Sequence, residues 1–83
     1  MIFNDARIKK FVEGVFTTLN LELLEEWFIT TDNISSICLN SEYLPHNHAD
    51  IYLFISFMCN LGLLERVRQG KYLFNKVKGR EYL

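Results

Sequence analysis

The chain has 83 residues, of which 49% are hydrophobic and 14% aromatic, and its formal net charge is −1. This length suits one domain, residues 1–83, and so high an apolar content excludes an intrinsically disordered chain. The longest mostly apolar run, residues 51–64, is too short to cross a bilayer, so a soluble protein without a membrane partner is expected.

The two cysteines indicate the cellular compartment. Cys38 and Cys59 stand among apolar neighbours and form neither a CxxC pair nor, with His46 and His48, a zinc spacing. We interpret both as small hydrophobic residues of a reducing, cytoplasmic protein. No catalytic residue, metal or cofactor is predicted, because so small a chain scarcely provides the cleft that catalysis requires.

Charge is distributed unevenly along the chain. Residues 20–50 contain six acidic residues and no Lys or Arg, whereas residues 66–80 contain six basic residues and no acid. The sequence therefore predicts an acidic end and a basic end, and the basic end suits a polyanion.

The first third of the chain predicts two helices. Asn4 suits the cap of a helix over residues 5–19, in which apolar residues recur at intervals of three and four. These apolar residues are Ile8, Phe11, Val12, Val15, Phe16 and Leu19. A second helix is predicted over residues 21–29, with its glutamates in solvent and Trp27 and Phe28 turned inward.

The middle of the chain predicts two more helices. One is predicted over residues 32–39, after the capping cluster that begins at Thr30. The other is predicted over residues 46–61, with Pro45 near its first position and Gly62 as its left-handed stop.

The last part of the chain predicts a β-hairpin over residues 63–77. Two strand-like segments flank Gln69-Gly70, a two-residue connection with glycine where a positive φ is wanted. The expected fold class is therefore α+β and mostly helical.

The junction between the last helix and the hairpin carries the most informative motif. It reads Leu61-Gly62-Leu63-Leu64-Glu65-Arg66, followed by Gly70-Lys71-Tyr72. With this junction, residues 31–77 resemble the winged helix-turn-helix family of small DNA-binding regulators. The resemblance implies three to four helices and a C-terminal hairpin wing.

The same resemblance implies a non-catalytic regulator of transcription that binds double-stranded DNA, as a dimer. The helix over residues 46–61 would enter the major groove with its first residues near base edges, and the wing would contact phosphates. The residues that this implies for DNA binding are His46, Asn47, His48 and Tyr52 of the helix and Arg66, Arg68 and Lys71 of the wing.

The helix over residues 46–61 departs from the family pattern, because it contains no Lys or Arg. Beside its expected core stripe it carries Leu53, Phe54 and Phe57, and a helix that is apolar nearly all round is buried on more than one side. A second hypothesis follows, in which the module is an adaptor or inhibitor that binds another protein rather than DNA. It would do so through these three residues and the basic wing, or by mimicking a polyanion with its acidic end.

Overall fold

The computed structural model describes residues 2–18 and 27–83. In these residues the fold is α+β and mostly helical, with four helices and a three-stranded antiparallel sheet. The helices are α1 (Asp5–Thr18), α2 (Thr31–Leu39), α3 (His48–Asn60) and α4 (Lys76–Arg80). The strands are β1 (Phe28–Thr30), β2 (Leu64–Arg68) and β3 (Lys71–Phe74).

Helix α1 confirms the prediction for residues 5–18, and Leu19 lies outside the described residues. The Asn4 side-chain oxygen accepts the backbone N–H of Arg7 at 3.0 Å, which satisfies one of the free donors of the first turn. The apolar stripe of the helix faces inward, with Ile8, Phe11 and Val15 buried.

The prediction of a helix over residues 21–29 is wrong at its end. Residues 21–26 lie outside the described residues, but Phe28 and Ile29 belong to strand β1, which pairs with β3. Aromatic and β-branched residues fit a strand, and β3, forty residues later in the chain, supplies the hydrogen-bonding partner. Trp27 is buried as predicted, while Phe28 is only half-buried.

Helix α2 confirms the prediction at residues 32–39 and begins one residue earlier. Thr30 is its cap, and a capping box joins Thr30 and Asn33: the Thr30 hydroxyl accepts the Asn33 N–H at 3.1 Å, and the Asn33 amide oxygen accepts the Thr30 N–H at 2.9 Å. The first turn of α2 is thereby held against the end of β1.

Helix α3 is shorter than the predicted span of residues 46–61. It begins at His48 because Asn47 caps it, so Pro45 lies before the cap and not in the first turn. After the helix, Gly62 has a φ of 81°, which confirms the left-handed stop.

Strands β2 and β3 form the predicted hairpin, but it ends at Phe74 and not at residue 77. Gly70 has a φ of 78° in the turn, and a bulge lies between Arg66 and Arg68. Asn75 caps α4, a short helix that the sequence did not predict. The strand order is β1-β3-β2, so β3 is central and β1 and β2 are edges.

One apolar core joins these elements. The α1 stripe, the inner face of α3 and the inner face of the sheet meet in it, together with α2 and the loop that follows. Its largest fully buried side chains include Tyr72, Phe11 and Phe54. The core leaves the outer face of α3 and both faces of the hairpin tip in solvent, and these surfaces contain the candidate site.

Candidate nucleic-acid interface

The start of α3 uses its polar residues locally. The Asn47 side-chain oxygen accepts the Asp50 backbone N–H at 2.9 Å, and its amide N–H donates to the Asp50 carboxylate at 2.8 Å. His46 precedes the helix, and its Nε2 donates to the Ser41 carbonyl oxygen at 2.7 Å. Of the residues predicted to read bases, His46 and Asn47 therefore lie outside the helix, while His48 and Tyr52 lie on it and are exposed.

The outer face of α3 is exposed and carries no charge. Tyr52 and Leu53 are 54% and 59% exposed. Apart from His48 in the first turn, the other exposed residues of α3 are Ala49, Ser56 and Asn60. Such a face offers hydroxyl and amide groups and apolar surface but no cation, as the sequence implied.

The three residues predicted for a protein interface separate in the structure. Leu53 is exposed, and Phe57 is half-buried with its ring 5.5 Å from that of Phe3. Phe54 is completely buried, edge-to-face on Phe11 at 5.7 Å. Phe54 is therefore a core residue and no part of a surface, because the face of α3 that packs on α1 is wider than the predicted stripe of Ile51, Ile55 and Met58.

The cations of the hairpin lie on two different faces of the sheet. Arg66 is paired with Tyr72, whose side chain points into the core, so Arg66 lies on the face that packs against α3. After the bulge, Arg68 is paired with Lys71. The Lys71 ammonium lies 4.5 Å from the centroid of the Phe28 ring, which places Lys71 on the opposite, outer face.

Arg66 extends beside α3. It lines one cleft with Ser56, Cys59 and Asn60, and a second cleft with Tyr52 and Thr31. Its guanidinium lies over the Tyr72 ring, 5.7 Å from the centroid, and Nη2 donates to the Tyr72 hydroxyl at 3.4 Å. The sequence indicated Arg66 as a wing residue, and the structure adds its position beside α3.

In residues 2–18 and 27–83, no carboxylate lies within 4.0 Å of any of the six basic residues between positions 66 and 80. The single ion pair in this part of the chain joins Lys10 and Glu13 of α1, at 3.8 Å. Four of the six cations instead lie over aromatic rings: Arg66 over Tyr72, Lys71 over Phe28, Lys76 over Trp27 and Arg80 over Phe16. The basic end predicted from the sequence is therefore a surface of cations that lack acidic partners among the described residues.

Burial distinguishes the two thiols of the protein. It raises the pKa of Cys38 to about 12, and burial also raises the pKa of Cys59, where the charge of Arg66 opposes the effect. Both cysteines are free. Because folding raises the pKa of Cys38, the folded protein favours the neutral thiol. The stability is therefore fully present below pH 9 and is lost as the pH rises toward 12.

We therefore expect selective alkylation of the folded protein. At about pH 8, iodoacetamide should modify the half-buried Cys59 slowly and leave Cys38 unmodified, because the thiolate is the reacting form. Peptide mass mapping checks this, with urea-unfolded protein as the control in which both residues react. Equal modification of Cys38 and Cys59 in the folded protein would contradict the expectation.

Within the described ranges, no three His, Cys, Asp or Glu side chains lie together as a metal site requires. In the same residues, no helix has both the length and the apolar character needed to cross a membrane. Compared with known family models, curated proteins and solved structures, the chain matches none of them.

Proposed function

We propose that this protein is a winged-helix regulator that binds double-stranded DNA, without catalysis, through α3 and the β2–β3 hairpin. The order of its elements supports the fold assignment. A helix, a strand and two helices precede the hairpin, and the early strand β1 completes a sheet on β3. In this arrangement α3 is the helix that would be presented to the major groove, and the hairpin is the wing.

The observation that carries the proposal is that the cations of the hairpin, next to an exposed helix, lack acidic partners among the described residues. Arg66, Arg68 and Lys71 have no carboxylate partner in the described part of the chain, so an approaching polyanion does not have to displace one. Cations placed in this way neutralise phosphates and release the counterions condensed on DNA.

The dimensions of α3 agree with this function. Its 13 residues give a length of about 20 Å, and an α-helix fits the major groove of B-DNA. Tyr52, Ser56 and Asn60 follow one another at intervals of four on the exposed side. The hydroxyl of Tyr52 and the amide of Asn60 are groups that can bond to base edges or phosphate oxygens.

The test is a titration of a fluorescent mixed-sequence duplex, followed by anisotropy at about 50 and about 200 mM salt. We expect binding at the lower salt and a Kd at least about threefold weaker at the higher salt, the change that one phosphate contact produces over this range. A Kd that does not change with salt, or no binding at either salt, would contradict the proposal.

One observation favours a second function, a protein-interaction module. The exposed face of α3 is uncharged and includes Leu53 and Tyr52, each more than half exposed, and an apolar face of this kind suits a protein surface. A sizing run with the same samples separates the two functions. Failure to bind the duplex, together with a dimer that Leu53→Asp dissociates, would favour the second.

A further inference from the structure

We infer that Arg66 supplies α3 with the positive charge that the helix itself lacks, and that it contacts a DNA phosphate beside α3, whereas Arg68 and Lys71 do not. This inference rests on the proposed function and makes it specific, because it divides three similar cations of one hairpin into one contact residue and two others. It also places the phosphate at the clefts that Arg66 shares with α3.

The position of Arg66 is the first step of the argument. Strand β2 packs against α3, and Arg66 borders two clefts that follow the helix. The α3 residues in these clefts are Tyr52, Ser56, Cys59 and Asn60, three of which form the exposed face. A phosphate beside α3 therefore comes within reach of the guanidinium, although the helix contributes no cation.

The second step is that Arg66 is held in place before any ligand arrives. Tyr72 is 1% exposed and supports the guanidinium with both its ring and its hydroxyl, at 5.7 and 3.4 Å. An arginine has five N–H donors, and the contact with Tyr72 uses one of them. The others remain for a phosphate, which arginine can bind through two parallel hydrogen bonds.

The charged residues around these two clefts permit an anion to bind there. Asp32 lines the cleft that Arg66 shares with Tyr52, but in the described part of the chain no carboxylate comes within 4.0 Å of the guanidinium. Glu65 borders the other cleft, but its side chain belongs to the opposite face of β2, across from Leu73. Among the described residues, no ion pair therefore neutralises the positive charge of Arg66.

The bulge in β2 is the third step, because it separates the three cations. Without it, Arg66 and Arg68 would lie on the same face of the strand, two residues apart. With it, Arg68 pairs with Lys71, and Lys71 covers the Phe28 ring on the face away from α3. A duplex held along α3 is then on the Arg66 side of the hairpin.

The experiment compares Arg66→Gln with two matched controls, Arg68→Gln and Lys71→Gln. Each variant removes one positive charge from the same hairpin, and the net charge is equal in all three. Arg66 and Arg68 are both exposed, and circular dichroism of each variant verifies that the fold is retained. The probe is the fluorescent mixed-sequence duplex, with the Kd measured over a series of salt concentrations.

We expect Arg66→Gln to weaken binding by about tenfold or more, the effect of a lost hydrogen bond to a charged group. The slope of log K against log salt should decrease by about 0.9, which corresponds to one phosphate contact. Arg68→Gln and Lys71→Gln should change the Kd by less than about threefold and leave the slope unchanged. Arg66→Lys should retain the slope and bind more weakly than the wild type, since it keeps the charge but loses the planar fork.

The outcomes are distinguishable. Equal losses in the three Gln variants, or a larger loss in Arg68→Gln, would overturn the inference and leave the proposed function intact. A wild-type protein that binds no duplex would overturn the proposed function and this inference with it.

Discussion

Phe54→Ala should remove most of the stability of the domain, with a loss of about 3–5 kcal/mol in the free energy of unfolding. Phe54 is completely buried, with its ring 5.2 Å from that of Phe3 and 5.7 Å from that of Phe11. Truncation to alanine removes the apolar transfer energy of the ring and leaves a cavity where α1 and α3 meet. A domain of this size has a stability of roughly 5 kcal/mol, so the variant would retain at most about 2 kcal/mol.

The matched control is the adjacent residue of the same helix. Leu53 is 59% exposed, and Leu53→Ala should change the free energy of unfolding by no more than about 0.5 kcal/mol. Urea titration followed by the fluorescence of the single tryptophan, Trp27, measures both variants. Similar losses for the two variants would show that α3 does not turn Phe54 inward, contrary to the structure.

Gly14→Ala should destabilise the protein by about 1–3 kcal/mol, although alanine is the better helix former. Gly14 lies inside α1, where helix propensity alone predicts a gain of about 1 kcal/mol. A β-carbon at this position would, however, lie 2.6 Å from Cγ2 of Ile37 on α2. Ile37 is buried and its Cγ2 is fixed to a branched carbon, so the two helices would have to separate.

A double-mutant cycle identifies the cause of that loss. Ile37→Leu keeps the volume of the side chain but removes Cγ2, so Gly14→Ala should cost less in the Ile37→Leu background than in the wild type. Ala6→Gly, at an exposed site of α1, measures the effect of helix propensity alone. It should lower the free energy of unfolding by no more than about 1 kcal/mol. Thermal or urea unfolding provides each value. A stabilising effect of Gly14→Ala would show that α1 and α2 are farther apart than the structure places them.

Local patterns in the sequence were sufficient to predict the elements that short-range interactions determine. The stripe from Ile8 to Phe16 predicted α1, and the cluster at Thr30 predicted the start of α2 to within one residue. Gln69-Gly70 predicted the hairpin turn, because a positive φ at Gly70 is a property of the turn itself. Periodicity, caps and turn residues act within a few positions, and all of them can be read from the chain.

The errors have a distant cause in one case and a local cause in two. Phe28 and Ile29 form a strand because β3 offers its free edge, and residues 75–77 leave the hairpin because Asn75 caps α4. Asn47 looked like a base-reading residue, and the structure shows its amide bonded to Asp50 instead. The strand depends on a partner far away in the chain, whereas each of the two caps bonds a residue three positions later.

The candidate site, too, was predicted from the sequence in part and depends on the folded structure for the rest. The composition and the order of residues along the chain were enough to predict the basic segment of residues 66–80 and the absence of Lys and Arg in α3. They also predicted the hairpin that presents the cations. Which of those cations borders α3 depends on one bulge in β2 and on the packing of Arg66 over Tyr72. Charge and periodicity are properties of the chain, whereas the face on which a side chain emerges is decided by strand register and packing, and these exist only in the folded protein.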